Sequence, residues 1–205
     1  MPASHDPSKR SSSRLGNVSG ALLLGGSSSR MGSDKARLES RGEAWSTRTA
    51  RLLDRLFDET LLVGGTPAPE APGRRVSDLH GPACALRGLA SALEAASSER
   101  VLVVATDLPL LEAELLLALT AWPEADAVVP VDSHGEQPLC AIYRREACLP
   151  VAQARLQANR LALRGWLDEL DTSRASLSDL GFDIEGAAQL TNVNTPLELA
   201  NLEAR

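Results

Sequence analysis

A chain of 205 residues with 43% hydrophobic content can bury the core of one globular domain, and its net charge of −6 leaves it mildly acidic. That acidity argues against a nucleic acid or an anionic membrane as partner, because such surfaces call for a clear excess of lysine and arginine. No run approaches the roughly 18 apolar residues of a membrane span, the N-terminus lacks an apolar signal-peptide core, and Cys84, Cys140 and Cys148 form no C-x-x-C pair, so a cytoplasmic protein with reduced, buried, apolar cysteines is expected.

Residues 1–17 (MPASHDPSKRSSSRLGN) are polar, serine-rich and aperiodic, the composition of a disordered tail, and place the folded domain at residues 18–205. SGALLL from Ser19 predicts a first buried strand. WSTRTARLLDRLF predicts a helix, with Leu52, Leu53, Leu56 and Phe57 on one stripe, and TLLVG a second strand. PACALRGLASALEAA repeats Leu86, Leu89, Ala90 and Leu93 at helical spacing, and VLVVATD follows as a strand. This alternation is the signature of βαβ units around a mostly parallel sheet. EAELLLALTAW then reads as helix and DAVVPV as strand, and DSHGEQ is a turn into PLCAIYR, a strand open to antiparallel pairing that would make the sheet mixed. Two amphipathic stretches, Glu146 to Gln157 and Leu161 to Leu170, precede a weaker strand near Ala188 to Thr191. A last helix is expected from Pro196, with Thr195 as its cap. His5, His80 and His134 are scattered on polar segments and read as exposed loop residues rather than zinc ligands.

The segment ALLLGGSSSRMGSDK (Ala21 to Lys35) runs from the first strand into a patterned polar loop. In open α/β sheets ligands gather beyond the carboxyl ends of the strands, which is where this loop lies. Gly25 and Gly26 allow a ligand to approach the main chain, so that backbone N–H groups can point at phosphate oxygens, and Arg30 and Lys35 add positive charge for the same anion. The loop suits a polyphosphate, although it matches neither a P-loop nor G-x-G-x-x-G. Taken alone it reads first as a flexible glycine-serine loop whose charges are only solvated.

Read as LxGGxSxRMGxDK, the segment resembles the signature of the MobA-like nucleotidyltransferases, and among them the molybdenum cofactor guanylyltransferases. Four further matches follow in the same order: HGPACAL (His80 to Leu86) against G-P-L-x-G, ATDLPLL (Ala105 to Leu111) against C-D-x-P-x-L, EQPLCAIYR (Glu136 to Arg144) against Q-P-L-x-A-x-Y, and NVNTPLEL (Asn192 to Leu199) against N-x-N-T-P-E-E-L. The resemblance covers everything after the tail. It implies a Rossmann-like three-layer α/β sandwich of the nucleotide-diphospho-sugar transferase type.

The resemblance also implies roles. Asp107, after the strand VLVVAT, becomes a Mg²⁺-binding carboxylate, a hard oxygen donor of the kind that shares Mg²⁺ with substrate phosphates; a turn or capping aspartate is the alternative. Lys35, with Arg30, would offset charge on the phosphates during catalysis. Leu23, Leu24 and Gly25 would contact the nucleotide through their backbone, and Gly26 belongs to the same loop. Asp78 matches a nucleotide-contacting aspartate or is an ordinary turn residue. Asn192 and Asn194 would lie near a pterin substrate, or simply shape the turn into the last helix. Two positions depart from the pattern. Gly64 stands where many relatives carry a base-reading asparagine, which bears on the choice of base. Ala85 replaces the last glycine of G-P-L-x-G, a harmless change if the helix has already begun there.

The activity implied is Mg²⁺-dependent transfer of GMP from GTP to the molybdopterin-bound molybdenum cofactor, with pyrophosphate released and molybdoenzymes or cofactor-biosynthesis proteins as further partners. The rivals are a cytidylyltransferase for the same cofactor, another nucleotidyltransferase of the same fold, or a non-catalytic nucleotide- or pterin-binding delivery protein. LLLGG and TDLP, rather than L-A-A-G and D-Q-P, favour the guanylyl branch.

Overall fold

The computed structural model describes residues 14–25, 39–40, 43–182, 186–193 and 198. In chain order the elements are β1 (Leu15–Leu23), β2 (Glu39–Ser40), β3 (Glu43–Ala44), α1 (Trp45–Leu56), β4 (Phe57–Val63), β5 (Arg74–Val76), α2 (Ala85–Ala95), β6 (Arg100–Ala105), α3 (Ala113–Ala121), β7 (Ala127–Asp132), β8 (Gly135–Glu136), β9 (Cys140–Arg144), α4 (Arg145–Gln157), α5 (Leu163–Leu167) and β10 (Thr172–Ser176), followed by a 3₁₀ turn at Gly186–Leu190. The main sheet has the order β10-β7-β9-β6-β1-β4-β5, with β8 hairpinned onto β7. All neighbours along it pair in parallel except β9, which runs antiparallel to both β6 and β7. The expected mixed, mostly parallel α/β sheet is what forms.

Both faces of the sheet are covered, which explains why its central strands read as continuous apolar runs rather than as alternating ones. Leu22, Leu62, Leu102 and Val104 face α1 and α3, where they meet Leu53, Leu115 and Leu119. Ala21, Leu61, Val101 and Val103 face α2, α4 and α5, against Leu89, Cys148 and Trp166. Each leucine fully buried in these layers contributes roughly 1.5–3 kcal/mol. Gly20, in the middle of β1, makes one of the tightest contacts: a Cβ there would lie 2.8 Å from the Phe57 ring and 3.3 Å from Leu53. Only a residue without a side chain lets α1 and the start of β4 close onto the central strand.

Several expected boundaries shift. The expected tail boundary at Asn17 falls inside β1, whose Leu15 already pairs with Phe57. The first helix ends at Leu56 rather than Phe57, because Phe57 is extended (φ −123°, ψ 150°) and opens β4 directly. The weak strand expected near Ala188 to Thr191 is the 3₁₀ turn. β5 and β10 are strands where none was expected. Cys140 and Cys148 are buried as expected, whereas Cys84 is only partly so. The helix expected from Pro196 lies outside the described residues, apart from Glu198. No helix among the described residues is long and apolar enough to cross a membrane.

Candidate active site

The parallel strands end level with one another. Val76 pairs with Val63, Val63 with Leu23, and Leu23 with Ala105, so the last residues of β5, β4, β1 and β6 form one row across the sheet. The polar residues past that row therefore share one edge. Asp78 lies two positions beyond Val76 and Asp107 two positions beyond Ala105, with the Leu24-Gly25 exit of β1 between them. Three strand intervals separate β5 from β6, about 14 Å at the usual spacing. The strand register thus places Leu23, Leu24, Gly25, Asp78 and Asp107 along one edge of the sheet. Gly26, Arg30, Lys35 and Asn194 lie outside the described residues.

The exit of β1 is built from backbone. Leu23 and Leu24 bury their side chains, at 5% and 3% exposure, and leave only their main chain toward the edge. The Leu24 N–H donates to the Val63 carbonyl at 2.9 Å, which ties the turn to β4. A Cβ on Gly25 would meet nothing within 4 Å, so this residue faces open space. Gly65 (φ +45°) packs so closely beneath the turn that a Cβ there would stand 2.8 Å from Leu24 Cβ and 2.9 Å from its carbonyl oxygen.

On one flank, Asp107 sits in a loop whose Leu108 and Leu111 drop into the core at 3% and 5% exposure. The Asp107 carbonyl accepts from the Val193 N–H at 2.8 Å, and the Glu112 N–H donates to Gln189 Oε1 at 3.2 Å. These bonds dock the segment carrying the exposed Asn192 against the Asp107 loop, so two distant sequence motifs meet here. Beneath them Trp45, the first residue of α1, packs with Val193 and Leu110. Among the described residues no three His, Cys, Asp or Glu side chains converge as a resident metal cage. A single partly buried carboxylate fits Mg²⁺ of the kind that arrives with substrate phosphates and keeps its own waters.

On the other flank, Asp78 borders a cavity of about 370 Å³ lined by Gly64, Gly65, Thr66, Pro67, Arg75 and Ser77, among others. Its carboxylate stands over Gly64 (φ +66°), where a Cβ would lie 3.1 Å from both Asp78 oxygens. Arg87, in the first turn of α2, donates from Nη2 to Asp78 Oδ2 at 2.9 Å and from Nη1 to the Gly81 carbonyl at 2.9 Å. Ser91 accepts from the Leu79 N–H at 2.9 Å and donates to the Arg87 carbonyl at 2.7 Å, which stitches the same loop to the helix. Ala85 opens α2, so its replacement of a glycine carries no backbone penalty. Sequence reasoning missed Arg87, because nothing in RGLAS marks an arginine that reaches back nine residues.

At the β7–β9 end of the edge, the Q-P-L segment has a structural explanation. The Tyr143 hydroxyl donates to the Pro138 carbonyl at 2.6 Å, and Gln137 Nε2 donates to Asp132 Oδ2 at 3.0 Å. Burial pushes the Cys140 thiol up to about 12, and burial with the Asp126 charge does the same for Cys148, so neither is a ready nucleophile at neutral pH. His80 and His134 are exposed.

Residues 20–174 match the model of the MobA-like NTP transferase domain. A relative from Chloroflexus aggregans, named "Probable molybdenum cofactor guanylyltransferase", is 35% identical over 91% of this chain and 94% of its own. One of the same name from Pelotomaculum thermopropionicum is 32% identical over 89% and 90%. Among solved structures, the molybdopterin-guanine dinucleotide biosynthesis protein A of Archaeoglobus fulgidus superposes with a TM-score of 0.74 at 20% identity, covering 91% of this chain and 97% of its own. The 2-C-methyl-D-erythritol 4-phosphate cytidylyltransferase of Thermus thermophilus does so at 0.65 and 16%, covering 90% and 96%. At these identities the superpositions establish the shared fold.

Proposed function

The chain belongs to the MobA-like NTP transferase family, and from that membership we propose that it transfers GMP from GTP to the terminal phosphate of the molybdopterin-bound molybdenum cofactor, in the cytoplasm. The products are the guanine dinucleotide cofactor and pyrophosphate. The observation that carries this reading is the level row of strand ends, which sets the open Gly25 turn between the Asp78 and Asp107 carboxylates.

The chemistry asks little of covalent catalysis. An oxygen of the acceptor phosphate forms a bond to the α-phosphorus of GTP, while the bond from that phosphorus to the oxygen bridging to the β-phosphate breaks and pyrophosphate leaves with the electron pair. The protein has to align two anions and counter their charge. Asp107 would hold Mg²⁺, which when bound neutralises charge on the triphosphate. The backbone of Leu23, Leu24 and Gly25 lines the nucleotide, and Asp78 meets its base end beside the cavity. Asn192, docked against the Asp107 loop, lies where an acceptor would approach. Lys35 and Arg30 take the roles the family resemblance gives them, with charge directed at the phosphates. Molybdoenzymes or cofactor-biosynthesis proteins would be the partners on either side of the reaction.

The test is incubation of the protein and molybdenum cofactor with labelled GTP or CTP, following label in the cofactor and pyrophosphate in solution. Guanylyl incorporation with stoichiometric pyrophosphate is expected. Incorporation from CTP but not GTP would overturn the choice of base, and tight binding with no pyrophosphate from either would make the protein a carrier.

A further inference from the structure

We propose that Arg87 is a positioning residue for base selection: it holds the Asp78 carboxylate over Gly64, where the two acid oxygens form a wall that accepts guanine. The inference rests on the nucleotide reading above and adds to it the means by which a chain with no side chain at position 64 discriminates between bases.

The carboxylate is confined on three sides. Gly64 and Gly88 leave room for it, since a Cβ on the first would stand 3.1 Å from both its oxygens and a Cβ on the second 3.9 Å from Oδ1. The Arg87 guanidinium closes the third side at 2.9 Å. Arg87 is held in turn by the Gly81 carbonyl at 2.9 Å, so the fork spans the loop that carries the acid. Its remaining Nε–H is buried without a hydrogen-bond partner. A guanidinium that leaves a buried donor unsatisfied is a poor device for stability. It is a good one for fixing a carboxylate in a single orientation, because the planar fork bonds the acid and the loop carbonyl together.

An ionised carboxylate only accepts hydrogen bonds. Guanine alone among the common bases presents two adjacent donors on its pairing edge, N1–H and the 2-amino group. Cytosine and adenine each set a donor beside an acceptor there, and an acceptor facing a carboxylate is repelled. Asp78 also occupies the volume that a side chain on residue 64 would need. The acid and the glycine therefore form one recognition unit, with Arg87 as its anchor.

Titration calorimetry on the full chain with GTP and inosine triphosphate, which lacks the 2-amino group, tests this. The wild-type protein should bind GTP at least about tenfold more tightly than inosine triphosphate, because a site built to bond a polar group rejects the analogue that lacks it. Arg87→Leu should bring that ratio below about threefold, and Arg87→Lys, which can still pair with the acid, should restore part of it. Gly64→Ala should lower the ratio with Arg87 intact, by pushing the carboxylate out of place. A wild-type-like ratio in Arg87→Leu, or no GTP preference in the wild-type protein, overturns the inference. Failure of the wild-type protein to bind any ribonucleoside triphosphate overturns instead the nucleotide reading on which it stands.

Discussion

The backbone seat of the β1 exit can be tested with a single methyl group. Gly65 holds φ +45°, and a Cβ there would meet Leu24 Cβ at 2.8 Å, Leu24 O at 2.9 Å and Leu24 C at 3.1 Å. Two of those atoms are backbone, so no side-chain rotation relieves the clash. Gly65→Ala must first adopt the left-handed region, at a cost of about 1 kcal/mol. It must then push the Leu24 turn away from β4, an overpacking cost of about 1–3 kcal/mol. The sum, about 2–4 kcal/mol, corresponds to a fall in Tm of about 5–15 °C for a chain of this size. The displacement also stretches the 2.9 Å bond from the Leu24 N–H to the Val63 carbonyl and shifts Gly25, so GTP affinity should fall at least fivefold. Differential scanning calorimetry and GTP titration read the two effects. A Tm within 2 °C of wild type together with a GTP Kd within twofold would refute the claim that this contact seats the turn at the end of β1 and, through it, the nucleotide proposed to bind there.

Further outcomes follow from the same geometry. Asp107→Asn should reduce the rate of pyrophosphate release by at least about 100-fold, since it removes the charge that the proposed function assigns to Mg²⁺, as read by a pyrophosphate-release assay; a rate within threefold of wild type would refute that role. Glu59 should make the fold sensitive to acid. Burial tends to raise its pKa, but bonds from Arg74, Ser19 and Ser97 overcome this and hold it at about 2. A depressed carboxylate contributes its stability above its ordinary pKa of 4.5 and loses it as pH falls toward about 2. After allowance for solvent screening of the exposed Arg74, about 1–2 kcal/mol should disappear over that window in wild type but not in Glu59→Gln, as read from urea midpoints at a series of pH values. Native protein at pH 8 should react with a thiol reagent at Cys84 well before Cys140 or Cys148, which burial protects; equal rates for all three would contradict the packing of β9 and α4.

The apolar runs of β1, β4, β6 and β7 were legible because strands buried on both faces have no polar alternation to confuse them. β10 was not, because TSRAS lies at the sheet's edge with just Ala175 fully buried and is held by pairing with β7 rather than by hydrophobicity. β5 is three residues long, RRV, too short to carry a period. Ala188 to Thr191 mimics a strand in composition, yet its job is to lie against the Asp107 loop. At the site, Gly25 and Asp107 were visible because each follows directly on a strong strand. Asp78 was marked only by the family resemblance, and its relation to Gly64 and Arg87 is tertiary: it depends on β4 and β5 ending level and on α2 folding back over both.

The placement of Trp45 gives the molecule a built-in optical probe. The chain has three tryptophans. Trp45 packs beneath Val193 and Leu110 at 2% exposure, directly under the loop that carries Asp107. Trp166 lies against Tyr143 on the opposite face of the sheet, at a ring separation of 5.0 Å. Emission excited at long wavelength should therefore respond to events at this sheet edge through Trp45, while Trp166 and Trp122, whose indole N–H donates to Ser173 Oγ at 2.9 Å, serve as a constant background. Ligand binding at this edge can then be followed in real time without attaching any label.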